Sequence, residues 1–235
     1  LGAALRHALA RDVVVVVAAG NVSSGGGCRE QNPPVARGRG WSQAHTVATP
    51  AWFSDYVLTV GSVDSSSGAP SSFSLAGPWV GVAAPGTDLT SVDSRPGRRG
   101  LVSGLSGDRG SAPISGTSFA AAYVSATAAL IRARHPDLDA RAVMRRITST
   151  AVGGGDGPDQ RIGYGVVDPL AALTVDSRDS SAPRAMRVHP VATTPPPSRA
   201  PLVVALGGTA LLLMALAITV GCARPRREEP YVDSL

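Results

Sequence analysis

The sequence contains no lysine, and its 235 residues include only two cysteines, four histidines and three tryptophans. Each scarcity closes a class. The two cysteines, Cys28 and Cys222, lie in a polar Gly/Pro-rich loop and an apolar run, too unlike to form a disulfide scaffold. No CxxC, HExxH or EF-hand-like acidic loop occurs, so neither a metal nor a cofactor is expected. The net charge of +5 is spread, with 15 Arg against 12 acids in residues 1–175 and 7 Arg against 5 acids in residues 176–235. That leaves no basic stripe with interleaved aromatics and speaks against a nucleic-acid partner. The all-arginine basic set is read as a compositional bias without functional weight. The chain also lacks an initiator Met, a charged leader and a cleavage site. It opens on "LGAALRHALARD", an amphipathic helix, as a fragment of a longer domain would.

What is present fits one α/β domain followed by a tail: 43% apolar residues, 27 Gly and 19 Pro. The run "DVVVVVAAGN", residues 12–21, is too continuous to alternate and predicts a parallel strand covered on both faces. After a long polar loop, "YVLTVGSVD" predicts a second strand. "PWVGVAAPGTDLTSV" predicts a third, broken at Pro85-Gly86. A helix is expected over residues 113–136, with the small residues Ala120, Ala121, Ala122 and Ala126 letting it pass close to the sheet. A second helix is expected in "DARAVMRRITSTA", where Val143, Ile147 and Ala151 recur at helical spacing, and "RIGYGVVDPLAAL" predicts a closing strand and short helix. Alternating strands and helices imply a layered α/β fold with a parallel sheet over residues 1–175.

Beyond residue 175 apolar periodicity stops. Residues 176–201, rich in Pro, Ser and Arg, read as a linker. Residues 202–222 carry no charge, and 21 residues at about 1.5 Å each cover roughly 30 Å, the hydrocarbon core of a bilayer. This segment is expected to be a transmembrane helix, and Cys222 at its end a small apolar residue. Arg224, Arg226 and Arg227 follow it while only Arg199 lies close before it, which places the tail 223–235 in the cytoplasm and the domain outside.

The chemistry centres on Gly116-Thr117-Ser118 at the mouth of the apolar helix. A serine hydroxyl attacks a carbonyl only when a base takes its proton and donors stabilise the oxyanion. A helix start presents the hydroxyl and the backbone N–H of Ser118 at the positive end of the helix dipole. The same tripeptide also suits a simple N-cap. Asn21, a side-chain amide at the end of a buried strand, supplies the kind of donor an oxyanion needs, although Gly-Asn alone reads equally as a turn.

Order and spacing of four motifs separate these readings. Ala18-Ala19-Gly20-Asn21, Ala84-Pro85-Gly86, Gly116-Thr117-Ser118 and Gly163-Tyr164-Gly165 follow one another as in the second half of the subtilisin-like serine peptidases, which the chain resembles over residues 1–173. Within them, "TPAWFSDYVLTVGSVD", "PISGTSFAAAYVS" and "RIGYGVVDPLAALT", with the linker and apolar C-terminal run, resemble the mycosins. These are the membrane-anchored subtilases of bacterial type VII secretion systems. Ala122, after the serine, stands where most subtilases carry Pro and mycosins carry Ala, Gly81 replaces a usual acid, and Ala126 replaces a usual Gly.

The resemblance implies the subtilisin-like three-layer fold and a Ser/His/Asp triad with Ser118 as nucleophile. It also implies an oxyanion hole from the Asn21 amide and the Ser118 N–H, and a specificity-pocket wall from Ala18, Ala19 and Gly20. In subtilases the triad order is Asp, His, Ser, with both earlier members ahead of the "AAGN" motif. Only 20 residues precede Asn21 here, and His7, His45, His135 and His189 lack the His-Gly-Thr context. Asp12 and Asp64 lack the Asp-Ser/Thr-Gly pattern and read as strand-end and turn residues. The expected function is therefore a membrane-anchored endopeptidase acting on protein substrates, with its base and orienting acid supplied upstream. A non-catalytic structural subunit of a secretion membrane complex is the other reading. In that extracytoplasmic setting Cys28 is expected to pair with an upstream cysteine.

Overall fold

The computed structural model describes residues 1–23, 26–35, 40–107, 110–155 and 158–175, all within one compact unit. The expected linker 176–201, membrane helix 202–222 and tail 223–235, with His189 and Cys222, lie outside the described residues. Among the described residues no helix is long and apolar enough to cross a membrane.

Helix α1 (Gly2–Ala10) leads into β1 (Val16–Ala18), followed by β2 (Leu58–Val63) and β3 (Val80–Pro85). These three strands are parallel neighbours, with Val16 opposite Leu58 and Gly61 opposite Ala83. The valine run behaves as its continuity predicts. Val14, Val16 and Ala18 pack against one core, and Val15, Val17 and Ala19 belong to the other, so the strand alternates between two apolar layers. Each side chain of Val or Leu size that is fully withdrawn from water contributes about 1.5–3 kcal/mol.

The first core lies between the sheet and three helices: α2 (Thr117–Arg134), α3 (Ala140–Thr150) and α4 (Pro169–Thr174). On α2 the buried positions Ala120, Ala121, Val124, Thr127, Ala128 and Ile131 form one helical stripe. Ala122 and Ala126, expected to face the sheet, fall off this stripe and are exposed, so the close approach rests on Ala120, Ala121 and Ala128. Asp139 and Asp168 cap α3 and α4, accepting from Ala142 N at 2.6 Å and Ala171 N at 2.9 Å. The second core gathers Leu5 of α1 with Val17, Ala51, Leu75 and Trp79 on the opposite face. Helices, sheet and an α1-plus-loop layer make three layers.

Between β3 and α2 the chain departs from expectation. The stretch after Pro85-Gly86 does not continue the third strand. Instead β4 (Ser91–Val92) pairs with β5 (Leu101–Val102), and β6 (Gly104–Gly107) with β7 (Gly110–Pro113), as two small antiparallel sheets. Pro113 thus ends a strand, and α2 starts four residues later than the expected 113. The main sheet is completed by β9 (Gly165–Val166), parallel to β3, and by β8 (Val152–Gly153), antiparallel at the edge.

Candidate active site

Parallel strands bring their C-terminal ends to one edge, and the expected site residues meet there. Beyond β1 the chain turns at Gly20, whose φ of +113° suits glycine. The next residues pair with the loop at 73–75 through Leu75 N to Gly20 O (2.9 Å) and Val22 N to Phe73 O (2.7 Å). This clamps Asn21 at the sheet edge with an exposed side chain.

The amide orientation is fixed by α2. Thr117 donates to Asn21 Oδ1 twice, from its backbone N–H at 3.0 Å and its hydroxyl at 2.9 Å. A backbone N–H can only donate, so the amide oxygen must face Thr117 and the NH2 group must point away. Among the described residues Asn21 Nδ2 has no acceptor. Thr117 is 1% exposed, and its hydroxyl also accepts from Gly20 N at 3.3 Å, tying the strand exit to the helix start. Sequence reasoning missed this residue. Its place inside Gly-Thr-Ser was visible, but a contact spanning 96 positions was not.

Two glycines permit this approach. Gly116 has φ of +152°, and a Cβ there would lie 3.3 Å from Asn21 Nδ2. Gly116 N donates to Gly86 O at 2.8 Å. A Cβ on Gly86 would meet Ser62 Oγ at 2.3 Å and Gly116 O at 3.0 Å. The Pro85-Gly86 motif thus docks the Gly116-Thr117-Ser118 turn on the end of β3.

Ser118 follows directly, exposed on the first turn of α2. Its N–H has no helical i−4 carbonyl to bond, and its hydroxyl has no hydrogen bond among the described residues. A hydroxyl, a backbone N–H and an outward amide NH2, none with a partner among the described residues, thus lie about the first turn of α2, where the helix dipole contributes about half a positive charge. Donors so placed can stabilise an oxyanion formed beside an activated hydroxyl.

The expected pocket-wall residues lead into Asn21. Ala18 is half-buried against the helical core, Gly20 is half-buried, and Ala19 is 0% exposed in the second core. Ala48 faces Gly20, its Cβ 3.4 Å from the position a side chain on Gly20 would take.

The described histidines sit elsewhere. His135 caps the far end of α2, where its Nε2 meets Leu173 O at 3.2 Å. Ser118 and His135 lie near opposite ends of the 18-residue helix, about 25 Å apart. His7 lies in the last turn of α1, which feeds the opposite edge of the sheet, and His45 is exposed on a loop. Asp12 pairs with Arg132 at 2.7 Å and accepts from Ala140 N at 2.6 Å; chiefly the Arg132 hydrogen bond holds its carboxyl below the usual range. Asp64 is held well below its usual value, first by the Ser66 hydroxyl, then by Ser67 and Thr87. Cys28, half-buried beside the Asn21 segment, forms no disulfide among the described residues, and its carbonyl accepts from Ser23 N at 2.9 Å.

The subtilase family model matches residues 2–165. The chain belongs to the subtilase family. It is 43% identical to Mycosin-1 of Mycolicibacterium smegmatis over 97% of this chain and 51% of that protein. It is 47% identical to Mycosin-4 of Mycobacterium tuberculosis over 96% of this chain and 50% of that one. Among solved structures, the serine protease MycP1, described as an essential component of the type VII (ESX-1) secretion system, matches at 47% identity and a TM-score of 0.67. That match covers 73% of this chain and 46% of the MycP1 chain. A chain of an intact ESX-5 inner membrane complex matches at 42% identity and a TM-score of 0.69, covering 95% of this chain and 52% of that one. The subtilase sequence described here thus spans about half the length of the curated relatives it matches. Its subtilisin-like fold with a mostly parallel sheet agrees with the sequence-based expectation.

Proposed function

We propose that this chain is the C-terminal portion of a membrane-anchored serine endopeptidase serving a type VII secretion system. The observation that carries the reading is the pair of Thr117 hydrogen bonds to Asn21 Oδ1, which aim the amide N–H2 outward one residue from Ser118. In the reaction Ser118 Oγ bonds to the substrate carbonyl carbon while its proton passes to a base contributed by upstream sequence. The carbonyl π electrons move onto oxygen, and the resulting oxyanion accepts from Asn21 Nδ2 and Ser118 N–H. Collapse of the tetrahedral adduct breaks the C–N bond, and the base returns the proton to the leaving amine. Ala18 and Gly20 form one wall of the specificity pocket, with Ala19 sealing it from behind. Residues 202–222 anchor the protein, with the peptidase domain outside and the tail cytoplasmic.

A fluorophosphonate probe tests the nucleophile on the protein extended to include its upstream Asp and His. Labelling at Ser118 that disappears in Ser118→Ala supports the reading, and refusal of the label by the extended protein overturns it. A structural role in a secretion membrane complex is favoured by one finding, the match over 95% of this chain to a component of the ESX-5 inner membrane complex. Assembly of the complex with Ser118→Ala separates the two roles: intact assembly without labelling assigns a scaffold role independent of catalysis.

A further inference from the structure

At the sheet edge opposite Ser118, a cleft of about 460 Å³ opens between α3 and the loop that carries Trp41. Its volume lies in the range of ordinary ligand sites. One wall is cationic. Arg141 and Arg145 stand one helical turn apart on α3, both exposed, and Arg145 has no ion-pair or hydrogen-bond partner among the described residues. Arg141 meets only the backbone carbonyl of Asp55, at 3.4 Å. The other wall is aromatic, with Trp41 and Tyr164 each 42% exposed and Trp79 buried behind them. Trp41 and Trp79 stand edge-on, ring centroids 6.3 Å apart.

Two features distinguish this cleft from ordinary surface. Trp79 is 1% exposed, and its indole N–H has no acceptor among the described residues. With that N–H itself buried, the ring backs the cleft as an aromatic floor. Second, two guanidiniums face the cleft against the single carboxylate of Asp55. Arginine beside exposed aromatic rings is the composition of a protein-recognition hot spot rather than of solvated surface.

We infer that this cleft is an exosite for an acidic peptide segment. Glutamate or aspartate side chains engage Arg141 and Arg145, and an apolar neighbour lies against Trp41 and Tyr164. An acidic peptide supplies both kinds of group in one chain. The site is independent of Ser118, so its occupation does not require peptidase activity.

The test is fluorescence anisotropy with the full-length protein and a fluorescein-labelled blocked peptide, Glu-Leu-Glu-Phe-Glu, against the same peptide with Gln for Glu. Saturable binding is expected, weakened about tenfold or more by the double change Arg141→Ala and Arg145→Ala and by the Gln peptide. Ser118→Ala should leave it unchanged. The double change Arg141→Lys and Arg145→Lys, which keeps the charge, should retain part of the affinity. Equal binding of the Gln peptide, equal binding by the double alanine variant, or no saturation at about millimolar peptide each overturns the proposal. Adenosine monophosphate displacing the peptide at lower concentration than unlabelled peptide does so as well, because it assigns the cleft to a nucleotide.

Discussion

The two ends of α2 put their polar groups to opposite uses. At its C-terminal end the polar groups are tied down: Arg132 pairs with Asp12, Asp12 also accepts from Ala140 N, and His135 reaches Leu173 O. At its N-terminal end three donors have no partner among the described residues, namely the Ser118 hydroxyl, the Ser118 N–H and Asn21 Nδ2. The first arrangement fastens helix, strand and loop together. The second leaves solvent-facing hydrogen-bonding capacity, without a partner among the described residues, on a surface held from behind and available to a ligand. Because Asn21 Oδ1 is occupied twice from inside, the openness of Nδ2 is imposed by Thr117.

That contrast breaks most sharply at Asn21. On the proposed mechanism Asn21→Ala removes one oxyanion donor, and loss of the corresponding amide in subtilisin, a member of this family, is known to cost about 10²–10³ in kcat. A similar loss is expected here for the complete protein, with fluorophosphonate labelling slowed and KM little changed. An equal loss of Tm without a kcat effect would make Asn21 a structural residue. Gly116→Ala acts on the same amide by intrusion. Its Cβ would come 3.3 Å from Asn21 Nδ2 at a φ of +152°. The backbone strain is about 1–3 kcal/mol, so both Tm and kcat should fall.

How much of this was legible beforehand follows from the range of the interactions. The β1 run and the stripe on α2 were readable because burial imposes its period on neighbouring residues. Asn21, Gly86, Gly116 and Ser118 were readable as ordered motifs, since each sits where an element ends. Thr117 was not, because its role exists only through a partner 96 positions away. The hairpins between Ser91 and Pro113 were hidden for a different reason. Val92 and Leu101 are 70% and 74% exposed, so no buried face imposes a period on their sequence. The orientation of Ala122 and Ala126 was misjudged because alanine is too small to mark a face.

A finer test separates the positioning role of Thr117 from its packing. Thr117→Val keeps the shape and removes the hydroxyl, leaving Gly20 N without its acceptor and Asn21 Oδ1 with one donor instead of two. One net hydrogen bond is about 1 kcal/mol. The expected result is a kcat loss of about five- to tenfold with KM nearly unchanged, and a modest fall in Tm. Thr117→Ser, which retains the hydroxyl, should recover most of the kcat. A purely structural role would lower Tm alike in both variants without splitting kcat from KM.

The smallest effect belongs to the other end of the helix and should leave the chemistry untouched. Asp12→Asn removes the charge that pairs with Arg132 and weakens acceptance from Ala140 N. The Asp12 carboxyl is held below its ordinary value of 3.8, so the folded state favours its ionised form. Its contribution is therefore fully present above the unfolded value, near pH 4, and is lost as pH falls through the lower folded value. Thermal melts of wild type and Asp12→Asn should differ by a small, constant amount from pH 5 to pH 8 and converge below pH 4, with labelling of Ser118 equal throughout. The pair is exposed and screened by salt, so the difference should also shrink at high ionic strength. A gap that widened on acidification would mean that the carboxylate is destabilised in the fold, and that the two ends of α2 are not the opposites their hydrogen bonds describe.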